Sequence, residues 1–206
     1  MGQGSPGVSI TVLLPAGRLP LDMMKTTHGL AEKYGFGIYL SLTQNMRLIN
    51  VPESAVDHVK KEISALGADF KGLGKFPIPR ICVGKPHCNL GVVDTEQLSQ
   101  KILARFGKRK NIKPKFKIAI AGCTVGCTWT KITDISIMAT RAGYTVYVGG
   151  KGGPIPQIVR RIKQKATEDE VLDIIETLVD FHDKNTKTKQ RMYKLLNNPD
   201  FPFPAV

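Results

Sequence analysis

Four cysteines are the residues of this chain best suited to chemistry, and they come as two tight pairs. Cys82 and Cys88 form Cys-x5-Cys, Cys123 and Cys127 form Cys-x3-Cys, and glycines flank both pairs. Where thiols are kept reduced, two disulfides are not expected. The alternatives are small apolar fillers of a core or ligands, and tight pairing with no cysteine elsewhere favours ligands. Zinc knuckles are usually shorter than x5 in both pairs, whereas four thiolates suit an iron–sulfur cluster. Lys85, Lys115, Lys117 and Lys131 lie nearby in sequence to offset their charge. If a helix starts at Cys123, the x3 spacing puts both sulfurs of that pair on one face.

Positioning these thiols requires strands and turns around them. Val8–Leu14 reads as a strand closed by Pro15 and Gly17, and Leu21–Tyr34 as a helix ended by Gly35. Ile38–Leu42 and Met46–Val51 read as strands, with Thr43, Gln44 and Asn45 between or continuing them. Pro52 opens a helix with Val56, Val59, Ile63 and Leu66 at helical spacing, stopped by Gly67. One more strand near Pro77–Cys82 would complete a ferredoxin-like half-domain. Beyond a glycine- and proline-rich joint, Asp94 caps a helix to Phe106, and Phe116–Ala121 is a strand running straight into Gly122 and Cys123. Asp134–Ala139 and Tyr144–Val148 are strands joined by a turn at Arg141–Gly143. A capping box at Thr167–Glu170 opens a C-terminal helix with Val171, Leu172, Ile175, Leu178 and Val179 as its buried stripe. The expected fold class is α+β, with a ferredoxin-like half-domain over 1–72, an α/β domain over 73–165 carrying the cysteines, and a C-terminal helical extension over 166–206.

Thirty Lys and Arg against 17 Asp and Glu give a net charge of +13, and 42% of the 206 residues are hydrophobic. That content argues for a buried core and against a disordered chain. No apolar run approaches the ~20 residues of a membrane span. The first residues lack the basic start and apolar centre of a secretory signal, and Pro6 stands where a myristoylation pattern built on Gly2 wants Ser or Thr. A cytoplasmic protein is expected. The basic excess attracts anions, whether nucleic acid, an acidic partner or a polyanionic cofactor.

Cys-x5-Cys followed by Cys-x3-Cys resembles the signature of sulfite and nitrite reductases that couple a four-iron four-sulfur cluster to sirohaem. Lys115–Cys123, Thr133–Ser136, the loop Val148–Gly153 and the stretch Leu40–Val51 are similar to further motifs of that family. The resemblance covers roughly residues 8 to 190, and the length is that of small single-repeat, dissimilatory sulfite reductase-like members. It implies that Cys82, Cys88, Cys123 and Cys127 ligate the cluster and that Cys127 also bridges to the sirohaem iron. It makes the 73–165 segment a sirohaem and iron–sulfur domain, and it assigns Lys115, Lys117 and Arg80 to the substrate anion. Two apart on a strand, the two lysines would share a face. Lys151, between Gly150 and Gly152, would meet a cofactor carboxylate where bare backbone N–H groups approach closely, and Thr43, Gln44 and Asn45 fall in the family's first cofactor-facing motif. The implied reaction is the six-electron reduction of sulfite to sulfide, or of nitrite to ammonia. The alternative is an iron–sulfur electron-transfer or cofactor-carrying protein of the same fold. The implied partners are a small oxyanion and an acidic electron donor such as a ferredoxin, with no nucleic acid and no membrane. Because one repeat supplies half of a pseudo-symmetric haem cradle, a homo-oligomer or a partner subunit is expected.

Two positions depart from the family pattern. Its Thr-Thr-Arg-Gln reads Ser41–Gln44 here, so Thr43 stands in place of the arginine. Arg47, four residues on, would share a face with Thr43 in a continuous strand and compensate. Trp129, two residues after Cys127, either shields the cluster, obstructs the haem face or fills the core. His87, beside Cys88, is placed to hydrogen-bond a cluster sulfur or to supply a proton. His182 is expected exposed or half-buried on its helix. Lys108–Lys110 reads as a solvated loop or a landing patch for the donor. A competing reading, a basic nucleic-acid module with a structural metal, would use Phe106 and Phe116 for stacking.

Overall fold

The computed structural model describes residues 7–110, 112–113, 115–187 and 190–206. The myristoylation reading at Gly2 and Pro6 lies outside them. The chain divides into two compact units, Met1–Gly72 and Leu73–Val206.

The first unit is β1 (Val8–Leu13), α1 (Leu21–Tyr34), β2 (Gly37–Leu40), β3 (Met46–Val51), α2 (Val56–Ala65) and β4 (Asp69–Phe70). Its antiparallel sheet has the order β2-β3-β1-β4, the ferredoxin-like arrangement. Gly35 ends α1 in the left-handed conformation (φ 69°), its N–H bonded to the Ala31 carbonyl. Strand alternation sends Ile10, Val12, Met46 and Leu48 into a core completed by Met23, Leu30, Val59 and Ile63 from the helices. Each such side chain contributes roughly 1.5–3 kcal/mol on leaving water. The fourth strand is not the one expected near Pro77–Cys82. After Gly67 the chain returns at once, Phe70 pairs with Val12, and Lys71 N donates to the Thr11 carbonyl at 2.9 Å.

The second unit contains β5 (Arg80–Ile81), α3 (Thr95–Phe106), β6 (Ile118–Ala121), β7 (Ile135–Thr140), β8 (Gly143–Val148), β9 (Arg160–Ala166) and α4 (Glu168–Asn185). Its sheet runs β5-β6-β7-β8-β9, parallel through the first three strands and antiparallel through the last three. All four residues of β6 are buried, as a central strand covered on both faces requires. Helix α3 buries Leu98, Ile102 and Phe106. Asp94 caps it, accepting from the backbone N–H of Glu96 and Gln97. The capping box at Thr167 and Glu170 is present in both directions. The buried stripe of α4 holds Ile174 rather than Leu172, and it includes His182. Segment 166–206 packs within this second unit.

Helix α3 and the segment that follows it are joined to α4 by an ionic ladder. Arg105 pairs with Asp173 and Glu176, Arg109 with Glu176 and Asp180, and Lys113 with Asp183, while Lys101 reaches Glu168. Arg109, expected in a solvated loop, is therefore held against α4, while Lys108 and Lys110 stay exposed. Residues 73–206 carry 23 of the 30 Lys and Arg but 11 of the 17 Asp and Glu, so twelve of the thirteen net charges belong to this unit. The ladder engages five of those acids, which leaves the basic excess elsewhere on the unit. Among the described residues no helix is long and apolar enough to cross a membrane.

Candidate metal and anion site

The parallel register of β5 and β6, Ile81 opposite Ile120, delivers both cysteine pairs to the carboxyl ends of adjacent strands. Such ends are where open α/β sheets bind ligands. Cys82 follows β5 directly and its N–H bonds the Ile120 carbonyl, while Cys123 follows β6 by two residues. Between them the Gly122 N–H donates to Cys82 Sγ at 3.1 Å, and the Gly122 carbonyl accepts from Val92 N at 2.8 Å. Thr95, at the start of α3, donates its hydroxyl to the Cys82 carbonyl at 2.6 Å. The glycines around the cysteines are steric necessities. A Cβ on Gly84 (φ 56°) would lie 2.6 Å from Thr95 Oγ1, and one on Gly91 3.0 Å from the backbone of Gly84 and Lys85.

Residues 122–134 are turns, not the helix that would have aligned Cys123 and Cys127. Gly126 takes φ 72° over the Thr130 hydroxyl, and Thr128 anchors the loop by donating to the Ile120 carbonyl at 3.0 Å. All four thiols are free; Cys82, Cys88 and Cys123 are half-buried and Cys127 is exposed. Among the described residues no three Cys, His, Asp or Glu side chains converge as a ready metal cage. What the fold brings together is Cys82 and the Cys123 turn. Four free thiols on adjoining loops, one already accepting an amide N–H, fit the donor set of an iron–sulfur cluster. His87 is exposed, and its backbone N–H bonds the Gly84 carbonyl.

Asp134 is a residue whose importance sequence reasoning missed beyond its motif. Its carboxylate is buried; Oδ1 accepts from Arg191 Nε at 2.7 Å and Met192 N at 3.1 Å, and Oδ2 from Lys117 N at 3.1 Å. Burial pushes this carboxyl up, while Arg191 and the Met192 N–H pull the other way. Arg191 Nη2 also donates to the Gly150 carbonyl at 3.0 Å. The trace of the arrangement in sequence is an acid between Thr133 and Ile135, at the start of an apolar strand.

Arg80 lies on β5 with its guanidinium half-buried. Burial and the nearby Arg191 pull its pKa below the ordinary value, with Asp134 opposing. The Lys115 and Lys117 premise fails: β6 begins at Ile118, Lys117 precedes it, and Lys115 is an exposed turn residue with φ 76°. They share no strand face. Lys151 donates to the Ile155 carbonyl at 3.0 Å and lies 5.4 Å from the Tyr193 ring centroid. Gly150 is needed for packing, since a Cβ there would sit 2.4 Å from Thr133 N; one on Gly152 would meet Ile132 at 3.4 Å.

In the first unit, residues 41–45 form the turn between β2 and β3. Thr43 Oγ1 pairs with Ser41 Oγ at 2.9 Å and accepts from Asn45 Nδ2 at 3.3 Å, and Gln44 takes φ 60°. Thr43 and Arg47 are thus not on one continuous strand. Arg47 is exposed on β3, opposite Thr11 and Tyr39. The stacking residues of the nucleic-acid reading are unavailable, because Phe106 and Phe116 are 0% and 5% exposed.

The family model for the nitrite and sulphite reductase 4Fe-4S domain matches residues 78–200, and that for the nitrite/sulfite reductase ferredoxin-like half domain matches residues 1–66. A nitrite reductase [NAD(P)H] of Emericella nidulans is 24% identical over 92% of this chain, which spans 17% of that protein's length. The large subunit of a Klebsiella oxytoca nitrite reductase is 24% identical, with 20% of its length covered. An assimilatory-type sulfite reductase of Nitratidesulfovibrio vulgaris is 23% identical over 88% of this chain and 83% of its own. Among solved structures, the NirA protein of Mycobacterium tuberculosis superimposes with a TM-score of 0.73 at 20% identity, over 91% of this chain and 37% of its own. A dissimilatory sulfite reductase I gives 0.76 at 13% identity, over 90% and 65%. These likenesses support the α+β fold.

Proposed function

Because the chain belongs to the nitrite and sulphite reductase 4Fe-4S domain family, we propose that it is an oxidoreductase taking sulfite to sulfide, with nitrite to ammonia as the second substrate choice. The cofactors that this membership supports are an iron–sulfur cluster and sirohaem. The relatives are named for both substrates, and the sulfite reading follows the one whose length this chain nearly spans. The observation that carries the proposal is the meeting of Cys82 with the Gly122–Cys123 turn at the ends of two parallel strands.

In this reading Cys82, Cys88, Cys123 and Cys127 would hold the cluster, with Cys127 the exposed thiol among them. When bound, the cluster and sirohaem would supply one-electron transfer to the anion. Sulfite accepts six electrons and seven protons to give hydrosulfide and three waters, the electrons coming singly from an external donor such as an acidic ferredoxin. The chain's own part is electrostatic: Arg80 and the backbone-anchored Lys117 present positive charge to an oxyanion, and Lys115 adds an exposed one. The Gly122 N–H, donating to Cys82 Sγ, orients that sulfur. Lys151, Gly150 and Gly152, and in the first unit Thr43, Gln44 and Asn45, are assigned to cofactor carboxylates or anion on the family resemblance alone, and Arg47 only as the cation following the Thr43 position. Self-association is part of the same proposal.

A second reading, an electron-transfer or cofactor-carrying protein without turnover, is favoured by Thr43 in place of an arginine and by Lys115 lying in a turn.

Anaerobic purification with a visible spectrum and assays for iron, labile sulfide and tetrapyrrole tests the cofactors, and sulfite consumption with reduced methyl viologen tests turnover. About five irons per chain with haem-type bands and sulfite loss are expected. About four irons without pigment or turnover would establish the carrier reading. A colourless preparation that cannot be reconstituted would overturn both. The paired substitution Lys115→Ala and Lys117→Ala is expected to remove most activity and spare the cluster spectrum.

A further inference from the structure

Trp129 is the single tryptophan of the chain, and its backbone is left-handed at φ 59°, a conformation seldom taken by a bulky side chain. The surroundings hold it there. Its carbonyl accepts from Ile132 N at 3.0 Å and from Thr133 Oγ1 at 3.0 Å, while Thr128, one residue earlier, is pinned to the Ile120 carbonyl. Backbone strain persists where neighbours over-determine it, and it gathers at ligand clamps. Here its product is placement. The residue is 41% exposed instead of filling the core, and the Arg80 guanidinium carbon lies 5.1 Å from the ring centroid.

The electrostatic surroundings show why that contact matters. Arg80 and Arg191 feel each other's charge, but Arg191 is satisfied by Asp134 and the Gly150 carbonyl. Arg80 has no ion pair or side-chain hydrogen bond among the described residues; its guanidinium lies by the Trp129 ring, and Asp134 acts on it through its charge. A half-buried guanidinium whose N–H groups donate to no side chain among the described residues can give those donors to an oxyanion. An aromatic ring over the guanidinium occupies a face and leaves the N–H edge, which binds oxyanions in a bidentate manner. Holding that edge in place beforehand removes the loss of side-chain freedom on binding.

We propose that Trp129 is a positioning residue for oxyanion binding: with its ring centroid 5.1 Å from the Arg80 guanidinium carbon, it holds the guanidinium for the anion. The proposal rests on the oxyanion-reductase reading and adds a residue that the family motifs do not supply.

The test uses the anaerobic holoprotein, with the sulfite dissociation constant read from the visible spectrum and Trp129 emission recorded in parallel. Trp129→Leu is expected to weaken sulfite about tenfold and Trp129→Phe no more than about threefold, with KM rising more than kcat falls. Combined with Arg80→Ala, Trp129→Leu adds no further loss. Arg80→Ala alone shifts the Trp129 emission, a readout that needs no substrate. Should Trp129→Leu fail to fold, Arg80→Lys carries the test: it keeps the charge, lacks the planar fork, and must weaken sulfite to a similar degree. Wild-type affinity in Trp129→Leu or Arg80→Lys, an equal loss from Trp129→Leu with and without Arg80, or an unmoved emission overturns the positioning role. A wild-type spectrum that responds to neither sulfite nor nitrite overturns the reductase reading and this role with it. A wild-type response that the variants share overturns this role alone.

Discussion

Arg191 Nε stands 2.7 Å from Oδ1 of Asp134, a carboxylate without solvent exposure, across 57 residues of sequence. The pair ties the segment after α4 to the entrance of β7, and through Lys117 N and the Gly150 carbonyl it also fixes the approach to β6 and the glycine loop. Three of the expected anion- or cofactor-facing residues, Lys117, Gly150 and Lys151, therefore lie on or next to segments held by one buried ion pair.

Removing one partner of such a pair leaves a buried charge, which costs about 3–5 kcal/mol. Arg191→Ala is expected to lower unfolding stability by about that much in urea titrations at neutral pH. Asp134 then loses the interaction that opposes its burial, so the deficit shrinks as pH falls and the carboxyl takes up a proton. Asp134→Asn in the Arg191→Ala background recovers part of the loss. A deficit that is independent of pH would show that the pair is not the cause.

His182 gives a second pH dependence. It is buried, with Nε2 2.9 Å from the Gln190 carbonyl, the Phe116 ring centroid at 4.9 Å, and Lys113, Asp183 and Asp134 as the charges around it. Burial pulls its pKa below the ordinary histidine value; Lys113 adds to this, and the Gln190 carbonyl and the two acids oppose it. The unfolded chain therefore binds the proton more readily. Stability contributed by neutral His182 is complete above about pH 6.5 and is lost as pH falls from there toward the depressed folded value. His182→Gln is expected to flatten this part of the pH–stability curve, as read from urea midpoints at closely spaced pH values.

The α3–α4 ladder predicts a salt-dependent stability centred on Glu176, which bridges Arg105 and Arg109. Glu176→Gln is expected to lower the urea midpoint at low ionic strength and to converge on wild type near 1 M salt, where the Debye length is about 3 Å. Equal deficits at both salt concentrations would mean that packing, not charge, is lost.

Much of the local structure was legible because its causes are local. The glycine after Tyr34, the Asp94 cap and the Thr167–Glu170 box each act within one helical turn, and all three form as their residues dictate. The two cysteine pairs announced a metal chemistry in the same way, through residue type and short spacing. Elsewhere the cause is distant. Arg160–Ala166 carries four cations in seven residues and no strand pattern, and it becomes β9 because β8 offers an edge to pair with. Arg80–Ile81 joins the second sheet because a two-residue β4 closes the first, and Lys115 and Lys117 are parted by a turn that their spacing does not record. Asp134 finds Arg191, and Arg80 finds Trp129, only when strand pairing and loop closure bring together residues whose charges and rings have no reason to meet along the chain. Short-range backbone and capping forces are written in adjacent residues, whereas the partners of a buried charge are chosen by the fold that excludes water from it.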